Sequence, residues 1–126
     1  MVKKRFLLPQ EIEVHYIIPT LKRYLSQIMK AQGKKQVEIA QLLSIQEATV
    51  SQYLSSKRGH QINFTEQIQK EIEKSAQKIK DQSTLIYEIQ RLLHLIKGSG
   101  TLCQVHKQFS LVPHQCSLDM GAAGCK

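Results

Sequence analysis

The side chains best suited to bind a metal ion are concentrated near the C-terminus of this 126-residue chain. All three cysteines and two of the five histidines lie between Cys103 and Cys125. Thiolate and imidazole groups bind zinc, or an iron–sulfur cluster with three cysteines and a weaker fourth ligand. Cys103 and His106 have the short spacing of a chelating loop, and two more cysteines would complete the site. The sequence therefore predicts a metal site, of zinc or iron–sulfur, formed by Cys103, His106, Cys116 and Cys125.

A spare histidine, His114, leaves open which imidazole would be the ligand. A segment this short cannot bury a core, so metal binding would supply the free energy that orders it. The alternative is a set of unrelated cysteines and histidines in an unstructured tail. Both interpretations remain open at this point.

A second group of polar residues could bind DNA, and it lies in the middle of the chain. The pattern from Gln36 to Arg58 predicts two short helices joined by a tight turn. The first helix would cover residues 36–43 and bury Val37, Ile39, Ala40, Leu42 and Leu43. The second would run from residue 46 or 47 to 55 and bury Ala48, Val50, Tyr53 and Leu54. Its other side carries short or amide side chains that can hydrogen-bond base edges. The predicted base-facing residues are Gln46, Glu47, Thr49, Ser51 and Gln52.

Basic residues flank these two helices. Lys34 and Lys35 precede the first helix, and Lys57 and Arg58 close the second. Cations in a last helical turn also cap a helix, but beside a groove-facing helix they favour contact with phosphates. We predict that all four contact phosphates.

The same segment resembles the lambda-repressor-like (Xre/Cro-type) family of prokaryotic transcriptional regulators, over roughly residues 12–60. Within this family, the segment resembles small prokaryotic predicted regulators with a C-terminal Cys/His cluster. The residues that fit the family pattern are Gln36, Ile39, Ala40, Leu43, Ile45, Val50, Ser51 and Tyr53. The resemblance implies a helix-turn-helix that binds DNA, with Gln36 hydrogen-bonded to a phosphate. Two departures are Ser44, where the family has a turn glycine, and Gln46-Glu47, where it has Thr-Gln or Ser-Gln.

Three further helical patterns would position the DNA-binding segment. The first begins at Pro9, continues through Pro19 with or without a kink, and ends at Gly33. Its apolar stripe is Ile12, Val14, Ile17, Ile18, Leu21, Tyr24, Leu25, Ile28 and Met29. Lys22, Arg23 and Lys30 lie off this stripe, where phosphate contact and plain solvation explain them equally well.

The second pattern begins near Thr65, after a core residue at Phe64, and runs to about residue 80 with a solvated face of Lys and Glu. The third is strongly amphipathic, with apolar residues at Leu85, Ile86, Ile89, Leu92, Leu93 and Ile96. Tyr87 and Leu95 widen that stripe beyond the need of one small domain. We therefore expect the last helix to contribute to a homodimer interface, although coverage of the chain's own core is the alternative.

Charge is concentrated where DNA binding would need it. The formal charge is +8, and residues 1–60 hold ten Lys or Arg against four acids.

The N-terminus is too poor in apolar residues for a secretory signal, and no run is long enough to cross a membrane. The chain is therefore expected to be cytoplasmic, without a disulfide framework. It has no catalytic triad, carboxylate pair, phosphate loop or dinucleotide fingerprint, so we expect neither an enzyme, an organic cofactor nor a small-molecule substrate.

Together these patterns predict an all-α protein of about five helices. Residues 1–97 would form a helix-turn-helix domain with a C-terminal dimerisation helix, and residues 98–126 an irregular Cys/His-rich tail. The predicted function is a sequence-specific, dimeric, DNA-binding transcriptional regulator that responds to metal or redox state. The alternative is an antitoxin-like module that binds a partner protein and regulates its own transcription.

Overall fold

The computed structural model describes residues 5–55, 62–101, 105 and 110–111. The described fold is all-helical apart from one two-residue strand pair, which confirms the predicted class. A helical run of α1 (Pro9–Ile12), a π-helical turn (Glu13–Ile17) and α2 (Ile18–Ala31) comes first. Four more helices follow: α3 (Gln36–Leu43), α4 (Glu47–Leu54), α5 (Glu66–Lys78) and α6 (Gln82–Gly98). Within these residues, no helix is both long and apolar enough to cross a membrane.

The π-helical turn shifts the apolar stripe of the first helical run. A proline ring clashes with the carbonyl four residues earlier and lacks an N–H group, so helices distort on its N-terminal side. Here the N–H group of Ile18, just before Pro19, donates to the carbonyl of Glu13 instead of residue 14. The extra residue separates the buried Ile12 and Ile17 by five positions. Val14, predicted to be buried, is consequently 58% exposed.

The core lies where α2 crosses the other helices. Elements α3, α4 and α5 all contact α2, and α6 contacts α3 and α5. Phe64 is buried as predicted, with its ring centroid 5.4 Å from that of Tyr24. Thr65 caps α5 because its hydroxyl oxygen accepts a hydrogen bond from the N–H group of Ile68. Asp81 caps α6 because its carboxylate accepts one from the N–H group of Thr84. These caps fix the helix starts because they satisfy N–H groups that have no partner inside the helix.

A buried polar network joins α5 to α6, in place of the fully solvated Lys/Glu face that we predicted for α5. Glu88 is 3% exposed and accepts from the Ser75 hydroxyl at 2.7 Å and from Arg91 Nε at 3.0 Å. Arg91 also donates from Nη1 to Glu71 Oε1 at 2.9 Å and from Nη2 to the Ser75 Oγ at 2.7 Å. Hydrogen bonds from Arg91 and Lys74 hold the pKa of Glu71 below its usual value. Burial alone would lower the pKa of Arg91, but its bonds to Glu71 and Glu88 outweigh that effect and raise it.

The two ends of the described chain meet in a small parallel ladder. Strand β1 (Arg5–Phe6) pairs with β2 (Ser110–Leu111), with Arg5 opposite Ser110. The tail was predicted to be irregular, yet Thr101 and Val105 have helical backbone and are buried, with Val105 in the main apolar core. Thr101 and Val105 therefore pack on the helical body.

Candidate nucleic-acid interface

A tight turn at Ser44 sets the angle between α3 and α4. Ser44 has φ 55° and ψ 46°, in the left-handed region. Its N–H group donates to the carbonyl of Gln41, and the N–H group of Ile45 donates to that of Ala40. This pair of bonds is the Schellman arrangement that ends a helix, and it usually has glycine at the left-handed position. The chain thus makes the glycine-type turn with a serine.

Helix α4 is held against the protein by a narrow apolar edge. Val50 and Tyr53 are buried in α4, and Leu54 is half-buried against the core. They meet α2 and α3, where Ile39 and Ala40 are buried. Ala40 is small enough for α3 and α4 to approach closely, as its position in the pattern predicts.

The opposite side of α4 is open to solvent and carries short or amide side chains. One helical face collects five exposed residues at spacings of one, three and four. We call this set the α4 outer face: Glu47, Ala48, Ser51, Gln52 and Ser55. Gln46, the residue before the helix, is exposed as well, and Thr49 is half-buried at the edge of the face. Hence four of the five predicted base-facing side chains are exposed and Thr49 is partly covered.

Two apolar predictions in this region are wrong. Ala48 was predicted to be buried but lies within the α4 outer face, and Val37 on α3 is 45% exposed. Because Val50 and Tyr53 face the core, the helical repeat turns Ala48 away from it. Ala48 is therefore a candidate contact that the sequence analysis missed, since an alanine methyl can contact the methyl group of thymine. A helical wheel centred on Val50 and Tyr53 would have found it.

Helices α3 and α4 both begin without a side-chain cap. The preceding residues, Lys35 and Gln46, have extended backbone, and neither side chain accepts a hydrogen bond from the first turn. The first N–H groups of a helix then remain available, and together with the helix dipole they favour an anion such as phosphate. Gln36 occupies the first position of α3 and is half-buried.

The predicted phosphate-binding lysines before α3 differ in their surroundings. Lys35 is exposed, whereas Lys34 is half-buried and its Nζ donates to Gln32 Oε1 at 3.5 Å. Lys57 and Arg58 fall outside the described residues.

The basic residues of α2 also differ in their exposure to solvent. Lys30 is exposed. Arg23 is only 9% exposed, with its guanidinium carbon 4.7 Å from the Tyr24 ring centroid, so it is not a surface contact for phosphates. Lys22 is half-buried, and this burial lowers its pKa.

Glu47 gives the α4 outer face its single acidic group. It is exposed in the first turn of the helix and forms no ion pair with another described residue. A carboxylate repels phosphates and accepts hydrogen bonds from the amino group of cytosine. The charge therefore disfavours backbone contact at this point and favours a base edge.

The predicted metal ligands cannot be compared with the fold. Cys103, His106, Cys116 and Cys125 lie outside the described residues, as does His114. In the part of the chain that is described, no three His, Cys, Asp or Glu side chains are grouped to hold a metal ion.

Comparison with known proteins adds no family to this description. The chain matches no family model, no curated protein and no solved structure.

Proposed function

We propose that the protein is a sequence-specific DNA-binding transcriptional regulator that acts as a homodimer. In this proposal α3, the Ser44 turn and α4 form a helix-turn-helix, with the α4 outer face in the major groove. The groove is about 12 Å wide and accepts one helix of about that diameter. The observation that carries the proposal is a helix fixed from behind by Val50 and Tyr53, whose front presents only short or amide side chains and one carboxylate.

The expected contacts divide into two kinds. Base edges would be read by Gln46, Glu47, Thr49, Ser51 and Gln52, with Ala48 added from the fold. Phosphates would be bound by Gln36, Lys34, Lys35, Lys57 and Arg58, together with the open N–H groups at the start of α3. The basic balance of residues 1–60 supports this assignment because phosphate neutralisation supplies most of the non-specific affinity.

The test is the sequence preference of a Gln52→Ala variant. The preferred duplex would first be selected from a random library with the unaltered protein. A glutamine amide can form two hydrogen bonds to adenine, so its loss should relax preference at one base pair by about 1–3 kcal/mol. Affinity for each base at each position, measured by fluorescence anisotropy, reports that change.

Gln77→Ala is the matched control, since Gln77 is an exposed glutamine on α5. It should leave the preference unchanged. If Gln52→Ala left every position unchanged too, the proposed placement of α4 would be wrong. If no duplex were enriched at all, the regulator proposal would fail.

The metal site at Cys103, His106, Cys116 and Cys125 stays a prediction. We propose zinc or an iron–sulfur cluster as the metal, either of which would order the tail on binding. Protein purified without oxygen should contain one of the two metals, and its absorption spectrum separates a brown cluster from colourless zinc. Elemental analysis that finds neither zinc nor iron would contradict the prediction.

A further inference from the structure

The first half of α6 presents an uncharged surface to solvent. Its exposed residues over three turns carry no ionisable group except one tyrosine hydroxyl. We call this set the α6 neutral face: Gln82, Ser83, Ile86, Tyr87 and Gln90. The one acidic residue of that stretch, Glu88, is turned inward and bonded to Ser75 and Arg91.

Two large apolar side chains lie at the centre of this face. Ile86 is 62% exposed and Tyr87 is 67% exposed, although Ile86 was predicted to lie on the buried stripe. Leu95, which we predicted to widen the same surface, instead packs partly against the core. The candidate contact surface is therefore nearer the start of α6 than the sequence suggested.

A groove continues the α6 neutral face toward the end of the helix. It has a volume of about 480 Å³ and runs between α6 and the first helical run. Gln90 and Leu93 form part of one wall, and Val14, 58% exposed because of the π-helical turn, forms part of the other. The walls also carry opposite charges, with Glu13 on one side and Lys97 on the other.

We propose that a second copy of this chain covers the α6 neutral face. Two α6 helices would pack antiparallel about a two-fold axis, with Ile86 and Tyr87 of each copy at the centre. The groove beside them would receive the edge of the partner helix, against the apolar side chains of Val14 and Leu93. This inference rests on the proposed function in one respect, because it supplies the surface for the proposed homodimer.

Charge favours a second copy of this chain over an anionic partner. Each chain carries a formal charge of +8, so two copies repel one another over most orientations. A face without cations is where they can meet at least electrostatic cost, and a two-fold axis brings that face against itself. DNA, an anionic membrane or an acidic protein would be bound by lysines and arginines, which the α6 neutral face lacks.

The residues of this surface are separate from those proposed to read DNA. The α6 neutral face belongs to α6, and the α4 outer face belongs to a helix that packs on α2 and α3. Self-association through α6 therefore uses none of the base-reading side chains. A contact centred on three helical turns is smaller than the roughly 800 Å² per partner of a standard interface. We expect a weak dimer, with a dissociation constant on the order of 10 µM.

Sedimentation equilibrium of the full chain tests the proposal. The unaltered protein should pass from monomer to dimer with rising concentration. Ile86→Lys and Tyr87→Lys place like charges across the two-fold axis, so each should weaken association by about tenfold or more. Leu8→Lys is the matched control, because Leu8 is an equally exposed apolar residue, at 64%, outside α6. It should leave the dissociation constant within about twofold of the original.

Salt provides an independent readout with a known sign. Added salt screens the repulsion between two +8 chains, so association through a neutral face should strengthen between about 50 and 500 mM NaCl. DNA binding should weaken over the same range because counterions are released. A dimer that dissociates with added salt would indicate contact through charged pairs and overturn the assignment.

Two results would overturn the inference alone: an Ile86→Lys variant that still dimerises, or equal loss of association with Leu8→Lys. A protein that stays monomeric at about 300 µM, well above the expected dissociation constant, would overturn both the inference and the homodimer of the proposed function. Circular dichroism would verify that each lysine variant keeps its helices. Gel-shift titration with the selected duplex separates this failure from that of the proposed function. A protein that dimerises through α6 but binds no duplex retains the interface and loses the regulator proposal.

Discussion

Two pairs of consecutive helices in this protein, α3–α4 and α5–α6, use polar side chains in opposite ways. In α5–α6 the polar groups face inward, and Ser75, Glu88 and Arg91 hydrogen-bond one another across the helix pair. In α3–α4 the contact is apolar, and most of the polar side chains are exposed, with Gln36 and Thr49 half-buried. No residue of α3 or α4 forms an ion pair with another described residue.

The polar groups between α5 and α6 are hydrogen-bonded to one another, whereas most of those on α3 and α4 remain available to a ligand. A buried network satisfies its own donors and acceptors, so it offers nothing to a ligand. On the α4 outer face the Ser55 hydroxyl donates to the Gln52 carbonyl, but the Ser51 hydroxyl and the Gln52 amide are exposed and bond to no other described residue, so a base edge can bind them. We infer that α5–α6 serves as the support and α3–α4 as the contact surface. The variants below test that division, beginning with the largest expected effect.

Arg91→Met should destabilise the fold the most. It leaves the carboxylate of Glu88 buried without its cationic partner, and breaking such pairs typically costs about 3–5 kcal/mol. Because Arg91 retains some exposure, with 26% of its side-chain surface accessible, we expect the lower end of that range. Urea denaturation followed by circular dichroism measures the loss.

Lys74→Met is the control for charge removal. Lys74 pairs with Glu71 at 3.3 Å, but its side chain is 65% exposed, so the change should be below about 0.5 kcal/mol. If Lys74→Met and Arg91→Met lowered the free energy of unfolding by similar amounts, the buried network would not be what holds α5 to α6.

Ala48→Glu should act on DNA binding and leave stability nearly unchanged. The site is exposed and glutamate forms helices well, so the free energy of unfolding should change by less than about 0.5 kcal/mol. A second carboxylate beside Glu47 would repel the duplex, and we expect affinity to fall about tenfold or more. Gel-shift titration measures it.

Gln77→Glu makes the corresponding charge change on the exposed surface of α5. Its effect on affinity for the duplex should be several-fold smaller than that of Ala48→Glu. Equal effects would mean that net charge, and not the α4 outer face, governs binding.

Ser44→Gly should give the smallest effect, a gain in stability of about 0.5–1 kcal/mol. Glycine adopts the left-handed backbone of the turn without the steric cost of a side chain, although it also loses more entropy on folding. The turn after α2 offers the reverse experiment. Gly33 has φ 93° and the same pair of hydrogen bonds, and a Cβ there would meet no atom within 4 Å.

Gly33→Ser should lose at least as much stability as Ser44→Gly gains, because φ 93° lies further than φ 55° from the left-handed conformation that a serine adopts. Thermal denaturation of both variants measures the pair. A loss of stability in both would show that the Ser44 side chain contributes something that its backbone conformation does not explain.

Much of the helical architecture could be predicted because local signals determine it. Thr65 and Asp81 are capping residues followed by apolar repeats, and Gly33 is a left-handed terminator, so the helix limits follow from short-range chemistry. The pattern between residues 36 and 55 likewise gave α3 and α4 to within one or two residues. What these signals share is that they act within one helical turn.

The rest depends on how the helices cross. Arg91 and Glu71 look like solvated surface in sequence, and only the approach of α5 to α6 brings them together. The exposure of Val14 follows from the π-helical turn, which a uniform helical repeat does not anticipate. In the candidate site, Ala48 was assigned to the wrong side because apolar character was weighed above the register set by Val50 and Tyr53.

The ladder between β1 and β2 affects the order in which the chain assembles and comes apart. It joins Arg5–Phe6 to Ser110–Leu111, so nearly the whole polypeptide forms the loop that it closes. A two-residue ladder adds little stability of its own and depends on the helices to bring its ends together, which places it last in folding. On warming it should be the first element to separate, releasing β1 and β2 together while the helical body persists.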